Sequence, residues 1–148
     1  MNNQPKEASD EGTALEWSAI LSWIEAAYVL SGRIEKSLEG LGLSMTKLKV
    51  LTHLAESRQS LALSEIAARI NCVKSNVTQI VDRLEAEGLV RRLYDPADRR
   101  TVRAELTNAG QEKQKAGAKA LDKTQAELVA GLSKTDVAAL GRLATAFK

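Results

Sequence analysis

The chain has 148 residues, of which 44% are hydrophobic and 3% aromatic, with 21 basic and 19 acidic side chains. This length is enough for one domain with a buried core, and the scarcity of aromatic residues favours helices over a sheet-based fold. No run approaches the roughly 18 apolar residues of a membrane span, and one cysteine excludes an internal disulfide. We therefore expect a soluble, cytoplasmic and mainly helical protein, whose net charge of +2 does not by itself indicate a nucleic-acid partner.

The amino-terminal part of the chain changes character near residue 14. Residues 1–13 are polar without periodicity and predict a flexible tail, with an interaction arm as the alternative. From Leu15 to Leu38, apolar residues at spacings of three and four predict a long helix with a wide apolar face. That face carries more apolar surface than a small neighbouring domain would cover.

The next segments have the spacing of a helix-turn-helix. Residues 44–56 predict a helix capped by a serine, and residues 61–63 could form a brief strand. Residues 64–70 predict a short helix, and Asn71 suits the left-handed conformation that ends one. Because only a tight turn separates this helix from the one that begins near Val73, the pair predicts a helix-turn-helix.

The helix that begins near Val73 has one apolar face and one polar face. Val77, Ile80, Val81 and Leu84 recur at the spacing of a single buried stripe. The remaining side chains face outward and can hydrogen-bond to bases and phosphates: Lys74, Ser75, Asn76, Thr78, Gln79 and Arg83.

A β-hairpin with a basic tip follows Gly88. Residues 89–94 and 101–106 predict two strands, the second with clear alternation of apolar and polar side chains. The connection at residues 95–100 is longer than the roughly 2 to 5 residues usual for a hairpin, so it should project from the body with Arg99 and Arg100. From residue 88 to residue 104 there are five arginines against two aspartates.

Two further helices close the chain. Thr107 can cap a helix over residues 108–130, and Ser133 can cap a last helix that reaches Phe147. The predicted fold class is mainly α with a small β-wing, built from about six helices and a two- to three-stranded antiparallel hairpin.

The motifs and their order resemble the MarR (multiple antibiotic resistance regulator) family of winged helix-turn-helix transcription factors. Four segments carry the resemblance: SEIAARI at 64–70, VTQIVDRLEAEGLVRR at 77–92, DPADRR at 95–100 and LTNAG at 106–110. Outside residues 61–110 the resemblance rests on the order of the helices. It implies a homodimer whose recognition helices enter major grooves and whose wings reach the flanking minor grooves.

The resemblance also implies roles for individual residues. Arg100 matches the wing arginine that enters the minor groove, Asp98 matches the carboxylate that orients it, and Arg99 is then better placed for phosphate. A narrow A·T-rich minor groove favours an inserted arginine because its negative potential is enhanced. Lys74, Ser75, Asn76, Thr78 and Gln79 match major-groove and backbone positions. This chain departs from the pattern at Val73, where the family usually has a capping serine.

Several residues allow two interpretations. Arg91, Arg92 and Arg103 suit ion pairs on the strand surface as well as phosphate contacts, and the interface prediction includes Arg92 and Arg103. Cys72 could sense oxidants, as in some members of the family, but it occupies the place of a small buried apolar residue and has no second cysteine to resolve a sulfenic acid.

The sequence is less informative about small molecules. Trp17, Trp23, Tyr28 and His53 could line a cavity for a small aromatic or phenolic effector where the resemblance places effector sites, and core packing explains them equally well. One histidine and one cysteine are too few for a zinc site within the subunit, and no cofactor is expected. Neither a nucleophile with a matched base nor a phosphate loop indicates an enzyme.

We expect a single domain at residues 14–148, with a DNA-binding lobe at 44–107 and dimerisation helices at 14–43 and 108–148. The predicted function is a regulator, most often a repressor in this family, that binds a palindromic operator as a homodimer. An effector could release it by favouring another separation of the lobes. The alternative is a winged-helix module for protein association that needs no operator.

Overall fold

The computed structural model describes residues 7–95, 97–98 and 100–146, with side chains from Leu15 onward. Within these residues the chain forms six helices and one antiparallel sheet of three strands in the order β1-β3-β2. The elements are α1 (Glu7–Glu39), α2 (Met45–Ser57), β1 (Leu61–Ala62), α3 (Leu63–Arg69), α4 (Lys74–Ala86), β2 (Val90–Tyr94), β3 (Val102–Leu106), α5 (Asn108–Val129) and α6 (Lys134–Ala146). The predicted fold class is confirmed, including the brief strand before α3.

The first helix begins earlier than predicted. Residues 7–13, expected in the flexible tail, are helical, so that part of the prediction is wrong, while residues 1–6 lie outside the described part of the chain. A periodicity criterion misses them because they carry no apolar stripe. Extending an existing helix adds one hydrogen bond per residue fixed, so polar residues can continue a helix that apolar residues have made stable.

The core lies in the lobe formed by α2, α3, α4 and the sheet. Leu51 on α2, Ile66 on α3, and Val77, Val81 and Leu84 on α4 are all fully buried. Ile80, the fourth residue of the predicted apolar stripe, is partly buried and packs against this core. Because side chains from three helices interlock in one core, α4 is held at a fixed angle to the sheet.

Predicted caps set the positions of two helices. The Ser44 hydroxyl accepts a hydrogen bond of 3.2 Å from the main-chain N–H of Lys47 at the start of α2. The Thr107 hydroxyl accepts one of 3.0 Å from the Gly110 N–H at the start of α5. A Cβ on Gly110 would lie 1.9 Å from the Leu89 carbonyl oxygen, so only glycine allows α5 to begin so close to β2.

The terminal helices contrast with the lobe. On α1, Leu38 is fully buried, whereas a run of large apolar residues nearer its start is exposed to solvent. The exposed set on α1 comprises Leu15, Trp17, Ile20, Leu21, Trp23, Ile24, Tyr28, Val29 and Leu30. On α6, Val137, Leu140 and Leu143 are exposed as well. None of the described helices is both long enough and apolar enough to cross a membrane.

Candidate nucleic-acid interface

The recognition helix α4 presents the polar face that the sequence predicted. Lys74, Ser75, Asn76, Gln79 and Arg83 are exposed, which leaves their side chains accessible to a macromolecular partner. Thr78 is half-buried, and its hydroxyl donates a hydrogen bond of 3.0 Å to the Lys74 carbonyl oxygen. Thr78 therefore has its hydroxyl hydrogen engaged within the helix, while its oxygen can still accept.

The start of α4 lacks a side-chain cap. Val73 occupies the N-cap position, is 69% exposed, and provides only its carbonyl oxygen to the N–H groups of Asn76 and Val77. The first amides of a helix point outward without an intrahelical partner and form a favourable position for an anion such as phosphate. A residue that cannot cap leaves those amides without side-chain competition.

Cys72 packs as a small apolar residue would, which is one of the two interpretations that the sequence allowed. It is partly buried against the lobe core, just before α4, and its sulfur accepts a hydrogen bond of 3.0 Å from the Asn76 side-chain amide. The thiol thereby holds one N–H of the Asn76 side-chain amide, in the first turn of the recognition helix.

Hydrogen bonds connect the described residues of the wing, which lies between β2 and β3. The Asp95 N–H donates to the Thr101 carbonyl oxygen at 3.0 Å, which closes the base of the loop. Asp98 accepts 3.0 Å hydrogen bonds from the Arg100 N–H and from the Thr101 hydroxyl. Two carboxylates therefore hold the main chain of the loop, since Asp95 also accepts from the Ala97 N–H at 2.9 Å.

The structure shows contacts of Asp98 with the main chain of the wing. The resemblance implies that its carboxylate orients the Arg100 side chain, which stays a prediction; in the structure the carboxylate accepts a hydrogen bond from the Arg100 main-chain N–H. Among the described residues, no ion pair within 4.0 Å joins the two side chains. Arg100 is exposed, and its main-chain N–H is held by Asp98, whereas Arg99 lies outside the described residues.

The strand arginines all take part in ion pairs. Arg91 lies 2.6 Å from the Glu105 carboxylate across the hairpin. Arg103 donates to the Ser60 carbonyl oxygen at 2.7 Å and lies 3.4 Å from the Asp95 carboxylate and 3.7 Å from the Glu65 carboxylate. These contacts support the ion-pair interpretation. Phosphate contact by Arg103 stays a prediction.

Arg92 makes the most extensive set of contacts among the three. Its guanidinium forms an ion pair with Asp82 and donates a hydrogen bond of 3.2 Å to the Thr78 carbonyl oxygen, both on α4. Its Nε lies 3.7 Å from the Glu85 carboxylate, and its main-chain N–H donates to that carboxylate at 3.0 Å. Sequence reasoning missed this link. The available signal was the pair Asp82 and Glu85, spaced so as to share one helix face.

A cleft brings the recognition helix and the wing together. It has a volume of about 170 Å³. Its lining consists of Leu63, Ser64, Lys74, Thr78, Arg92, Arg100, Thr101 and Val102. Within the described part of the chain, the side chains of Lys74 and Arg100 form no ion pair, so their positive charges remain available. The arrangement can attract a polyanion to both elements at once.

The four residues predicted for an effector cavity do not line one cavity within the subunit. Trp23 borders an apolar recess of about 410 Å³ with Ile20, Ile24 and Leu143. His53 borders a separate hollow of about 300 Å³ between α2 and α5, and its Nδ1 lies 3.3 Å from the Glu56 carboxylate. Trp17 and Tyr28 are exposed on α1, because the first half of that helix extends beyond the lobe.

A helix-turn-helix followed by a hairpin wing, with a basic cleft between them, defines a winged helix-turn-helix protein. The sequence model of the MarR family matches residues 43–102, from just before α2 to the start of β3, which is most of this lobe. In sequence, the chain is 39% identical over 71 residues to the HTH-type transcriptional regulator YkoM of Bacillus subtilis, a match that covers 48% of this chain and 46% of YkoM. It is also 39% identical over 75 residues to the HTH-type transcriptional repressor MdtR of the same organism, covering 51% of this chain and 48% of MdtR.

The structural comparison extends beyond the lobe. Sco3205, a MarR family transcriptional regulator from Streptomyces coelicolor solved in complex with DNA, is 30% identical to this chain with a TM-score of 0.82. The match covers 90% of this chain and 89% of Sco3205. The chain therefore belongs to the MarR family, whose members matched here are transcriptional regulators rather than enzymes. The curated relatives YkoM and MdtR are matched over less than half of their own length.

Proposed function

We propose that this chain is a DNA-binding transcriptional regulator that reads a duplex with α4 in the major groove and with the wing in the adjacent minor groove. The observation that carries the proposal is the cleft that places Lys74 of the recognition helix and Arg100 of the wing on one basic surface. The exposed amides of Asn76 and Gln79 can form paired hydrogen bonds with adenine edges. Arg100 supplies the cation that a narrow minor groove favours.

We further propose that the regulator is a homodimer assembled through α1 and α6. The exposed apolar residues of these two helices form a surface larger than the scattered apolar residues of an ordinary monomer. A two-fold dimer presents two recognition helices and therefore matches a palindromic operator. A repressor is the direction that the similarity to MdtR supports, since that relative is a repressor.

Release by a small aromatic or phenolic effector is a further part of this proposal. The hollow between α2 and α5 combines apolar Met45 and Leu48 with the polar groups of His53 and Gln114, as ligand sites commonly do. Simple phenolic acids should therefore raise the dissociation constant of the protein–DNA complex. A His53→Ala variant should respond less, and an unchanged complex across a panel of such acids would remove the effector from the proposal.

The proposal is tested by selecting duplexes from a random pool with the purified full chain and sequencing those that bind. The expected result is enrichment of one palindromic sequence, followed by a gel shift with that duplex and with the DNA upstream of the protein's own gene. A pool that shows no enrichment, together with no gel shift, would favour the rival function, a winged-helix module that associates with another protein.

A further inference from the structure

The link between Arg92 and the recognition helix has a consequence for how the interface is held. Arg92 lies on β2, yet its guanidinium contacts α4 at Asp82, at Glu85 and at the Thr78 carbonyl oxygen. The side chain is 27% exposed, so these contacts are partly shielded from solvent. Its Nη2 makes both the Asp82 and the Thr78 contacts, its Nε is buried without a hydrogen-bond partner among the described residues, and its main-chain N–H binds the Glu85 carboxylate. Arg92 is therefore joined to three residues of α4 from β2.

We propose that Arg92 is a positioning residue that fixes the recognition helix relative to the wing, and that it is not a phosphate contact. This inference rests on the proposed DNA-binding function. The two reading elements must fit two grooves of one stiff duplex at the same time, so the angle between them decides whether both fit. A side chain that extends from β2 of the hairpin and binds both Asp82 and the Thr78 carbonyl oxygen of α4 restricts that angle before DNA arrives.

The same link controls local charge. Asp82 and Glu85 are exposed on the recognition helix, where uncompensated carboxylates would repel a phosphate backbone. Arg92, which pairs with both carboxylates, compensates one of these two negative charges from the protein side. If Arg92 served only as a phosphate contact, removing the two carboxylates would free it and strengthen DNA binding. If Arg92 positions α4, removing them loosens the helix and weakens specific binding.

The first experiment measures affinity of Arg92→Lys for the selected duplex and for a scrambled duplex by fluorescence anisotropy. Lysine keeps the charge, but its side chain is one bond shorter, so its ammonium should not reach Asp82 and the Thr78 carbonyl oxygen together as Nη2 of Arg92 does. We expect specific affinity to fall about tenfold and scrambled-duplex affinity to stay within about twofold. The matched control is Arg91→Lys, one residue away, where Arg91 pairs only with Glu105 among the described residues; it should stay within about twofold on both duplexes.

The second experiment combines Asp82→Asn with Glu85→Gln while Arg92 remains. Positioning predicts weaker binding to the selected duplex although two negative charges are gone. The slope of log Kd against log salt for Arg92→Lys should equal that of the wild type. Stronger binding by the double variant, or wild-type affinity for Arg92→Lys, would overturn the inference. A drop of the slope by about 0.9 in Arg92→Ala, with unchanged specificity, would identify Arg92 as a phosphate contact.

Failure of this inference can be separated from failure of the proposed function. Binding of the wild-type chain to the selected duplex tests the function alone. Amide hydrogen exchange in the DNA-free protein tests the link alone: Arg92→Lys should speed exchange in α4 and β2 while exchange in α5 stays unchanged. Unchanged exchange in α4 would overturn the positioning role whether or not the protein binds DNA, and uniform acceleration throughout the chain would assign Arg92 to general stability instead.

Discussion

The winged-helix lobe and the first helix differ in how far their apolar residues are buried. In the lobe, Leu51 and Leu84 are fully buried by neighbours within the same chain. On α1, Leu21 and Ile24 are more than half exposed. The sequences of both regions have apolar residues at the same helical spacing. Periodicity therefore shows which face of a helix is apolar but not what covers that face. The lobe buries its apolar residues within one subunit, whereas a face of apolar residues on α1 stays exposed in the single subunit.

The largest effect is expected where the proposed dimer surface is broken. Ile24→Glu replaces an exposed apolar side chain of α1 with a charge, and a two-fold interface contains the change twice. Losing burial of about 1.5 to 3 kcal/mol per side chain should weaken the dimer by about 3 to 6 kcal/mol. Sedimentation should show monomers of the variant, and dimers of the control Gln59→Glu on the lobe surface. A wild type that stays monomeric at every concentration would contradict the proposal.

Truncation within the lobe should act through the fold of each subunit. Leu51→Ala removes a side chain with no solvent exposure and should lower the free energy of unfolding by about 2 to 5 kcal/mol. Because the neighbours of Leu51 belong to its own lobe, the loss should appear both in the dimer and in the Ile24→Glu background. Urea titration of the wild type, the two single variants and the double variant measures this loss of free energy of unfolding. A loss confined to the dimer would mean that the lobe core depends on the partner.

A third, smaller effect tests whether the wing-tip arginine contributes more to DNA binding than an arginine of the strands. Arg100→Ala removes an exposed cation of the wing and should weaken binding to the selected duplex by at least about 1 kcal/mol. Arg91→Ala, the control, removes an arginine paired with Glu105 and should change affinity much less. Anisotropy titrations compare the two. Equal losses would show that position on the wing tip carries no special role.

The smallest effect concerns the start of α6. The Ser133 hydroxyl and main-chain N–H donate to the Asp136 carboxylate at 2.6 and 2.9 Å, and these hydrogen bonds lower the pKa of Asp136. A lowered pKa in the folded state means that the hydrogen bonds between Ser133 and Asp136 stabilise the protein fully above the ordinary aspartate pKa of about 4. This stabilisation is lost as the pH falls through the lowered value. Carboxyl NMR titration should give Asp136 a lower pKa in the wild type than in the Ser133→Ala variant. Identical pKa values in the two proteins would contradict a role of Ser133 in stabilising the Asp136 carboxylate.

Much of this architecture could be predicted because local chemistry decides it. Ser44 and Thr107 begin helices as expected since each hydroxyl accepts the amide hydrogen bond of the first turn. Asn71 ends α3 with a positive φ of 52°. The apolar spacing of Val77, Val81 and Leu84 likewise predicted which face of α4 is buried, because one stripe of a helix must face the core.

The parts that could not be predicted depend on contacts between distant segments. Arg92 and Arg103 look alike in sequence, but one binds carboxylates of the recognition helix and the other binds Ser60 and Asp95. Only the folded hairpin determines which partners each arginine meets. The helical extension to Glu7 was missed for another reason, since polar residues continue a helix without any periodic signal.

The salt dependence of DNA binding tests the central claim most directly. Affinity of the wild-type chain for the selected duplex should be measured by anisotropy between about 50 and 200 mM monovalent salt, because each neutralised phosphate contributes about 0.9 to the slope of log affinity against log salt. We predict a steep linear fall, with the selected duplex preferred over a scrambled one throughout. A flat response, or equal affinity for the two duplexes, would contradict the assignment of α4 and the wing as a sequence-reading interface.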